Sequence, residues 1–305
     1  MKTVYAPSLG RSVKLGRNRP PHRVRLHLRD YLRLKDLPPP PPSVDYSPLA
    51  ATALQQIYLN DRYGDCVIAG GYHVVGVETG NADGGKPFIA TDQQIVADYS
   101  KIGGFDPSNP QATDNGCDEQ TALSYWQQSG FADGIKLAGW CAVDATNQTE
   151  SMQAMSLFEN LFFGIELPDA WVASMPSASG FVWDVAGDPD PQNGHCVVGV
   201  GYNAQGVQIA TWGMIGTITW AAVAKYCAQP TGELYVMLTP DEVDAATQKA
   251  PSGVAWTELQ ADFGVLASVP APQPQPQPTP GTPPTLAQAQ QAVTAALAAL
   301  PGWPT

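Results

Sequence analysis

Two proline-dense stretches limit what this chain can fold into. Positions 38–42 are five consecutive prolines, and positions 269–285 hold eight more among Gln, Ala, Thr and Gly. Proline lacks the N–H that a helix interior or a sheet ladder needs, and its ring fixes φ, so neither stretch can lie inside a regular element. Both are expected to be extended, polyproline-type spacers. They divide the chain into an arm with its spacer at 1–44, a folded body at 45–268, a linker at 269–285 and a short helix at 286–305. A body of that size can bury a sizeable core as one large domain or two subdomains.

Charge is divided as sharply. Ten of the sixteen Lys and Arg residues, and only two of the twenty-eight Asp and Glu residues, lie at 1–37, which gives that segment a net +8. The remainder, with six basic and twenty-six acidic residues, carries −20. Arm and body should attract each other or suit different partners. Within the arm Val24, Leu26 and Leu28 alternate with Arg23, Arg25, His27 and Arg29, the period of a strand with one apolar face that needs a sheet edge. That edge is supplied by the chain's own body or by a neighbouring copy. The arm could neutralise phosphates, but the acidic body repels a nucleic-acid backbone and no nucleic-acid motif is present, so nucleic acid is disfavoured as a partner.

No apolar run reaches bilayer-spanning length, and the N-terminus lacks the apolar core and small-residue cleavage site of a signal peptide. Five scattered cysteines (Cys66, Cys117, Cys141, Cys196, Cys227) without a C-x-x-C pair argue against a disulfide scaffold or a zinc site. Asp188-Pro189-Asp190-Pro191 reads as a solvated turn, not a calcium site. No metal and no cofactor is expected.

The body reads as α+β, helices first and strands second. Asp65 stands as N-cap to a helix starting at Cys66, Thr91-Asp92-Gln93-Gln94 is a capping box, and Asn115-Gly116-Cys117-Asp118 introduces a helix over 119–128 that Gly130 ends. Strands are predicted at 161–165, 196–202, 207–212 and 233–238, with a short helix over 220–227. At 286–300 Leu286, Val293 and Leu300 recur at seven-residue spacing in an Ala-rich stretch, a helix too short to stand alone in water. His73, two turns along the helix from Cys66, is read as packing.

In this order the body resembles the papain-like cysteine peptidases over roughly 50–245. Gly64-Asp65-Cys66 stands where that family has Gly-Ser-Cys, and Thr91 through Asp98 is similar to its Leu-Ser-Glu-Gln-Glu-Leu-Val-Asp helix. Asn115-Gly116-Cys117 is similar to its Gly-Cys-Asn-Gly-Gly segment, His195 through Tyr202 to its His-Ala-Val strand, and Trp212-Gly213 to the end of Asn-Ser-Trp-Gly. The resemblance implies a two-subdomain fold, with a helical half carrying Cys66 at a helix N-terminus and an antiparallel β half carrying His195. It implies Cys66 as nucleophile, His195 as general base and acid, and Asn60, in the place of the family's Gln, as oxyanion donor beside the Cys66 N–H. A helix N-terminus and a nearby imidazolium both stabilise a thiolate.

The sequence also departs from that pattern. Ala210 stands where the family has the Asn that orients the imidazole, and Thr211, next on the strand, should face away from Ala210. Val67 replaces an aromatic residue and Tyr63 a structural Cys, leaving Cys117 without that partner. The arm is too short and too basic for the family's usual prosegment. Two functional readings follow. In the first, the domain is a structural or interaction subunit of a larger assembly such as a bacteriophage virion, its Cys-His site degenerate. It is then tied to protein partners or copies of itself through 1–44 and 286–305, and is cytoplasmic or virion-associated. In the second, it is an active cysteine peptidase or amidase that cleaves a peptide or isopeptide bond.

Overall fold

The computed structural model describes residues 2–20, 25–32, 37–240 and 255–268. The Pro-rich linker at 269–285 and the helix at 286–305 lie outside the described residues, as does Val24 of the arm strand.

The arm opens with an antiparallel hairpin, β1 (Lys2–Ala6) and β2 (Arg11–Leu15), turned by Gly10 in the left-handed region at φ 64°. Its alternation buries Val4, Ala6, Val13 and Leu15 in the body's core. The helical half follows: α1 (Ser47–Leu54), α2 (Cys66–Ala82), α3 (Asp92–Gly103), α4 (Pro110–Thr113) and α5 (Glu119–Ser129). The Thr91 capping box forms, with Thr91 accepting from the Gln94 N–H and Gln94 Oε1 from the Thr91 N–H at 2.9 Å. Asp118 caps α5 by accepting from the Thr121 N–H at 2.8 Å, and Gly130 ends it.

The second half builds a sheet of eight described strands in the order β4 (Gly139–Ala142), β10 (Glu233–Leu238), β5 (Leu161–Pro168), β7 (Pro189–Tyr202), β8 (Gly206–Thr211), β9 (Met214–Thr219) and β6 (Val182–Trp183), with β3 (Val44–Asp45) pairing β7. Its pairs are antiparallel except β6 with β9. Pro189 and Pro191 open β7, so the expected Asp-Pro turn is instead the frayed start of a long strand. Strand alternation sends Phe163, Val197 and Ile209 into one core and Phe162, Val198 and Ala210 into a second, shared with α2, α3 and α5. β5 is buried along its whole length because both its faces are covered. The first core is closed by α6 (Gln148–Phe158), α7 (Asp169–Ala173), α8 (Trp220–Tyr226) and α9 (Trp256–Ala267). Helix α6 was not expected; Asn147 caps it by accepting from the Glu150 N–H at 3.2 Å, and Ala154, Met155 and Phe158 supply its buried face. No helix among the described residues is long and apolar enough to cross a membrane.

Candidate active site

Cys66 is the first residue of α2, as expected, but the helix start is built differently. Asp65 holds the N-cap position without a capping bond, and its carboxylate instead accepts from Asn60 Nδ2 at 3.2 Å. Burial pushes the Asp65 carboxyl well above the usual range, with the Asn60 hydrogen bond acting against it. The Gly64 turn is held from α4's end of the helical half. Asp114 accepts from the Gly64 N–H and from Tyr99 Oη, each at 2.8 Å, and Tyr99 Oη accepts from the Gly116 N–H at 2.8 Å. This network fixes the loop that presents the thiol; no local motif announced it.

A small crevice is lined by Asn60, Cys66, His73, Cys196, Ala210, Thr211 and Trp212. Cys66 and Asn60 thus line one crevice with Thr211 and Trp212, while His195, which those two residues contact, is not itself among the lining residues. The imidazole of His195 lies on the opposite face of β7 from Cys196, fully buried, with Nε2 2.8 Å from Thr211 Oγ1. Trp212 stacks on it, ring centroids 4.2 Å apart and planes 12° from parallel. The hydrogen-bond partner of the imidazole is thus Thr211, the residue after Ala210. Val198 pairs Ala210 across β7 and β8, so Ala210 shares the face of Val198, and Thr211 shares that of Val197 and His195. Facing away from Ala210 is what brings Thr211 to the imidazole. Nδ1 of His195 makes no hydrogen bond among the described residues. His73 also lines the crevice and packs as expected, Nε2 3.0 Å from the Gln56 carbonyl.

The arm crosses the body beside the thiol, and the Gly16 backbone reaches Cys66. The Cys117 N–H donates to the Gly16 carbonyl at 3.1 Å, the Asn18 N–H to the Cys117 carbonyl at 3.0 Å and the Arg17 N–H to the Gly194 carbonyl at 3.0 Å. One extended segment therefore bonds at once to the helical half and to the strand half, on either side of Cys66. It passes so closely that a Cβ on Gly116 would overlap the Gly16 carbonyl and one on Gly194 the Arg17 carbonyl. Lys14 pairs with Asp114, Arg11 with Asp61 and Arg19 with Glu166. Farther on, the expected arm strand is reduced to one bridge: the Ala142 N–H of β4 donates to the Leu26 carbonyl at 2.8 Å, and the chain then turns into a 3-10 helix over Leu28–Asp30, which buries Leu28 in the body's core.

Burial sets the electrostatics of both Cys66 and His195. Cys66 is 1% exposed, and burial pushes its thiol up to about 12, although backbone hydrogen bonds from Cys196 and Gly16 favour the thiolate. Burial alone lowers His195 to about 3. The two groups are accordingly a neutral thiol and a neutral imidazole. All five cysteines are free and buried. Among the described residues no group of three or more His, Cys, Asp or Glu side chains is arranged to hold a metal ion.

Comparison with solved structures agrees with this geometry. The chain has the papain-like fold, an α+β architecture of two subdomains with a helix-borne Cys and a strand-borne His. It is similar to xylellain, a cysteine protease from Xylella fastidiosa, with a TM-score of 0.55 and 14% identity over 74% of this chain and 97% of that one. It is also similar to a digestive procathepsin L 3 of Tenebrio molitor larval midgut, with a TM-score of 0.50 and 14% identity over 74% of this chain and 76% of that one. No protein-family model matches the sequence, and no curated protein sequence matches it.

Proposed function

We propose that this protein is a thiol hydrolase of peptide-type amide bonds whose cleft is closed by its own arm. The observation that carries the reading is the support around His195: Thr211 on Nε2 and Trp212 against the ring. A histidine that only filled a core would have both ring nitrogens satisfied, whereas Nδ1 of His195 has no hydrogen-bond partner among the described residues. With Nε2–H donating to Thr211, the lone pair sits on Nδ1 and can take the Cys66 proton. Cys66 Sγ then attacks the carbonyl carbon, and the C–N bond breaks as His195 returns the proton to the leaving amine. Water, deprotonated by the same imidazole, hydrolyses the thioester. The Cys66 N–H, at the start of α2, and Asn60 Nδ2 are the oxyanion donors; Asn60 must exchange its bond to Asp65 for the substrate oxygen.

The second reading, a structural subunit of a larger assembly with a degenerate site, is favoured by the complete burial of Cys66 and His195. The two differ in the thiol's chemistry. In the full chain carrying Arg17→Ala to loosen the arm, iodoacetamide is expected to modify Cys66 at least tenfold faster than Cys117, Cys141, Cys196 or Cys227. Adding His195→Ala should abolish that preference. Equal modification of all five thiols, or no response to the His195 change, would overturn the hydrolase reading and leave the structural one.

A further inference from the structure

Among the described residues of the arm, Arg17 carries a charged side chain that is buried within the body. Its guanidinium is 1% exposed and lies between Glu119 and Glu233, themselves 0% and 2% exposed. Nε stands 3.1 and 3.2 Å from the two Glu119 oxygens, Nη2 3.6 Å from Glu233 Oε2, and Nη1 3.5 Å from the Thr231 carbonyl. The opposite oxygen of Glu233 is held by Gln229 at 2.8 Å and Gln120 at 3.3 Å, with Arg25 at 3.5 Å. Oε2 has no hydrogen bond and is aimed at the guanidinium. Behind the pair, a Cβ on Gly164 of β5 would stand 2.6 Å from Glu119 Oε1 and 2.8 Å from Arg17 Nε, so the absence of a side chain there makes the room.

Two carboxylates buried in one pocket repel each other and are poorly solvated, so the pocket calls for a cation with donors on several edges. A guanidinium has that shape; an ammonium is a single point and an apolar side chain leaves both acids unpaired. The position also matters. Arg17 follows Gly16, whose backbone reaches the Cys66 thiol, and its own N–H bonds the residue before His195. A peptide lying in this cleft would present a side chain to the same pocket, one residue from the one over the thiol. We propose that the pocket between Glu119 and Glu233, backed by Gly164, is a side-chain subsite for arginine, that the protein acts on peptides carrying arginine there, and that Arg17 fills it as an internal mimic. This rests on the hydrolase reading for its substrate, but the guanidinium subsite can be tested without catalysis.

In the full chain with Arg17→Ala, ethylguanidinium at millimolar concentration should raise the thermal midpoint saturably, while ethylammonium should not. Adding Gly164→Ala or Glu233→Gln should remove the effect, and wild type should show none. Separately, two dipeptidyl acyloxymethyl ketones that differ only in arginine or norleucine at the subsite are compared for modification of Cys66 in Arg17→Ala. The arginine compound should react at least tenfold faster, falling to within twofold of the other with Glu233→Gln, or with Glu119→Gln should that variant fold better. His195-dependent modification without arginine preference overturns the subsite and leaves the hydrolase. Saturable guanidinium binding with neither ketone reacting supports the subsite and removes the hydrolase. Absence of guanidinium binding and of arginine preference together would make Arg17 a structural clasp only.

Discussion

Thr211→Val tests whether the support around His195 is chemical or merely packing. Valine keeps the branched shape of threonine and removes only the oxygen that lies 2.8 Å from His195 Nε2. Nδ1 already lacks a partner, so the variant leaves a buried imidazole with neither nitrogen bonded. An unsatisfied buried polar group costs about 1–3 kcal/mol. For a body of this size that corresponds to a fall of roughly 2–12 °C in thermal midpoint. If the hydroxyl also orients the ring as it takes the Cys66 proton, the same energy appears in the barrier. At 1.36 kcal/mol per tenfold, Cys66 modification should slow by about 5- to 150-fold. The assay is the rate of Cys66 carbamidomethylation, read by peptide mass spectrometry between pH 5 and 9 in the Arg17→Ala background, alongside a thermal melt. Thr211→Ser, which keeps the oxygen, should restore most of the rate. A variant that melts lower but reacts at the parent's rate would refute the reasoning: the hydroxyl would then be a structural partner without a part in activating the thiol.

Further outcomes follow from the same contacts. Because all five cysteines are free and buried, a disulfide reagent should titrate almost no thiol in the native chain and five in denaturant. Asp114→Asn removes the charge that pairs Lys14 while keeping an acceptor for the Gly64 N–H and Tyr99; a loss of about 1–3 kcal/mol in urea unfolding is expected, with faster proteolysis between residues 10 and 20. Burial lowers His73 to about 4, so between pH 6.5 and 4 the unfolded chain binds a proton that the folded chain does not, and the stability this residue contributes is lost as pH falls through that window. Against His73→Phe, wild type should lose up to about 3 kcal/mol more on acidification from pH 7 to 4, a difference that equal pH slopes would disprove.

What the sequence could and could not disclose follows from the range of each interaction. The start of α2 at Cys66, the capping box at Thr91 and the Asp118 cap depend on neighbours within four residues, and all were readable. His195 at the head of an apolar strand was readable for the same reason. The role of Thr211 was not. Alternation along β8 alone says that it opposes Ala210, but which face carries His195 is set by the pairing of Val198 with Ala210 across two strands. Glu119 and Glu233 are 114 positions apart in the chain and meet only because β10 lies beside β5; nothing local marks either as part of a pocket. The one long-range fact that was legible was charge. A +8 arm and a −20 body foretold attraction, though not that the attraction is spent inside the cleft.

That placement constrains the arm's other possible uses. The arm's ion pairs are of two kinds: Lys2 with Asp169 is a surface pair, its side chains 32% and 72% exposed, whereas Lys14, Arg11 and Arg19 are half-exposed cations that reach the buried carboxylates of Asp114, Asp61 and Glu166. A surface pair of the first kind contributes little, about 0–1 kcal/mol, and salt weakens it further. Arg17 is different, because withdrawing it strands two buried carboxylates at a cost of about 3–5 kcal/mol. Beside Cys66 the arm is therefore gripped by the Arg17 side chain and by the three backbone bonds around it. The same residues cannot tie the chain to a neighbour and fill the cleft at the same time. Assembly through residues 11–19 would have to uncover Cys66, and an assembly that keeps the thiol covered must use other surfaces.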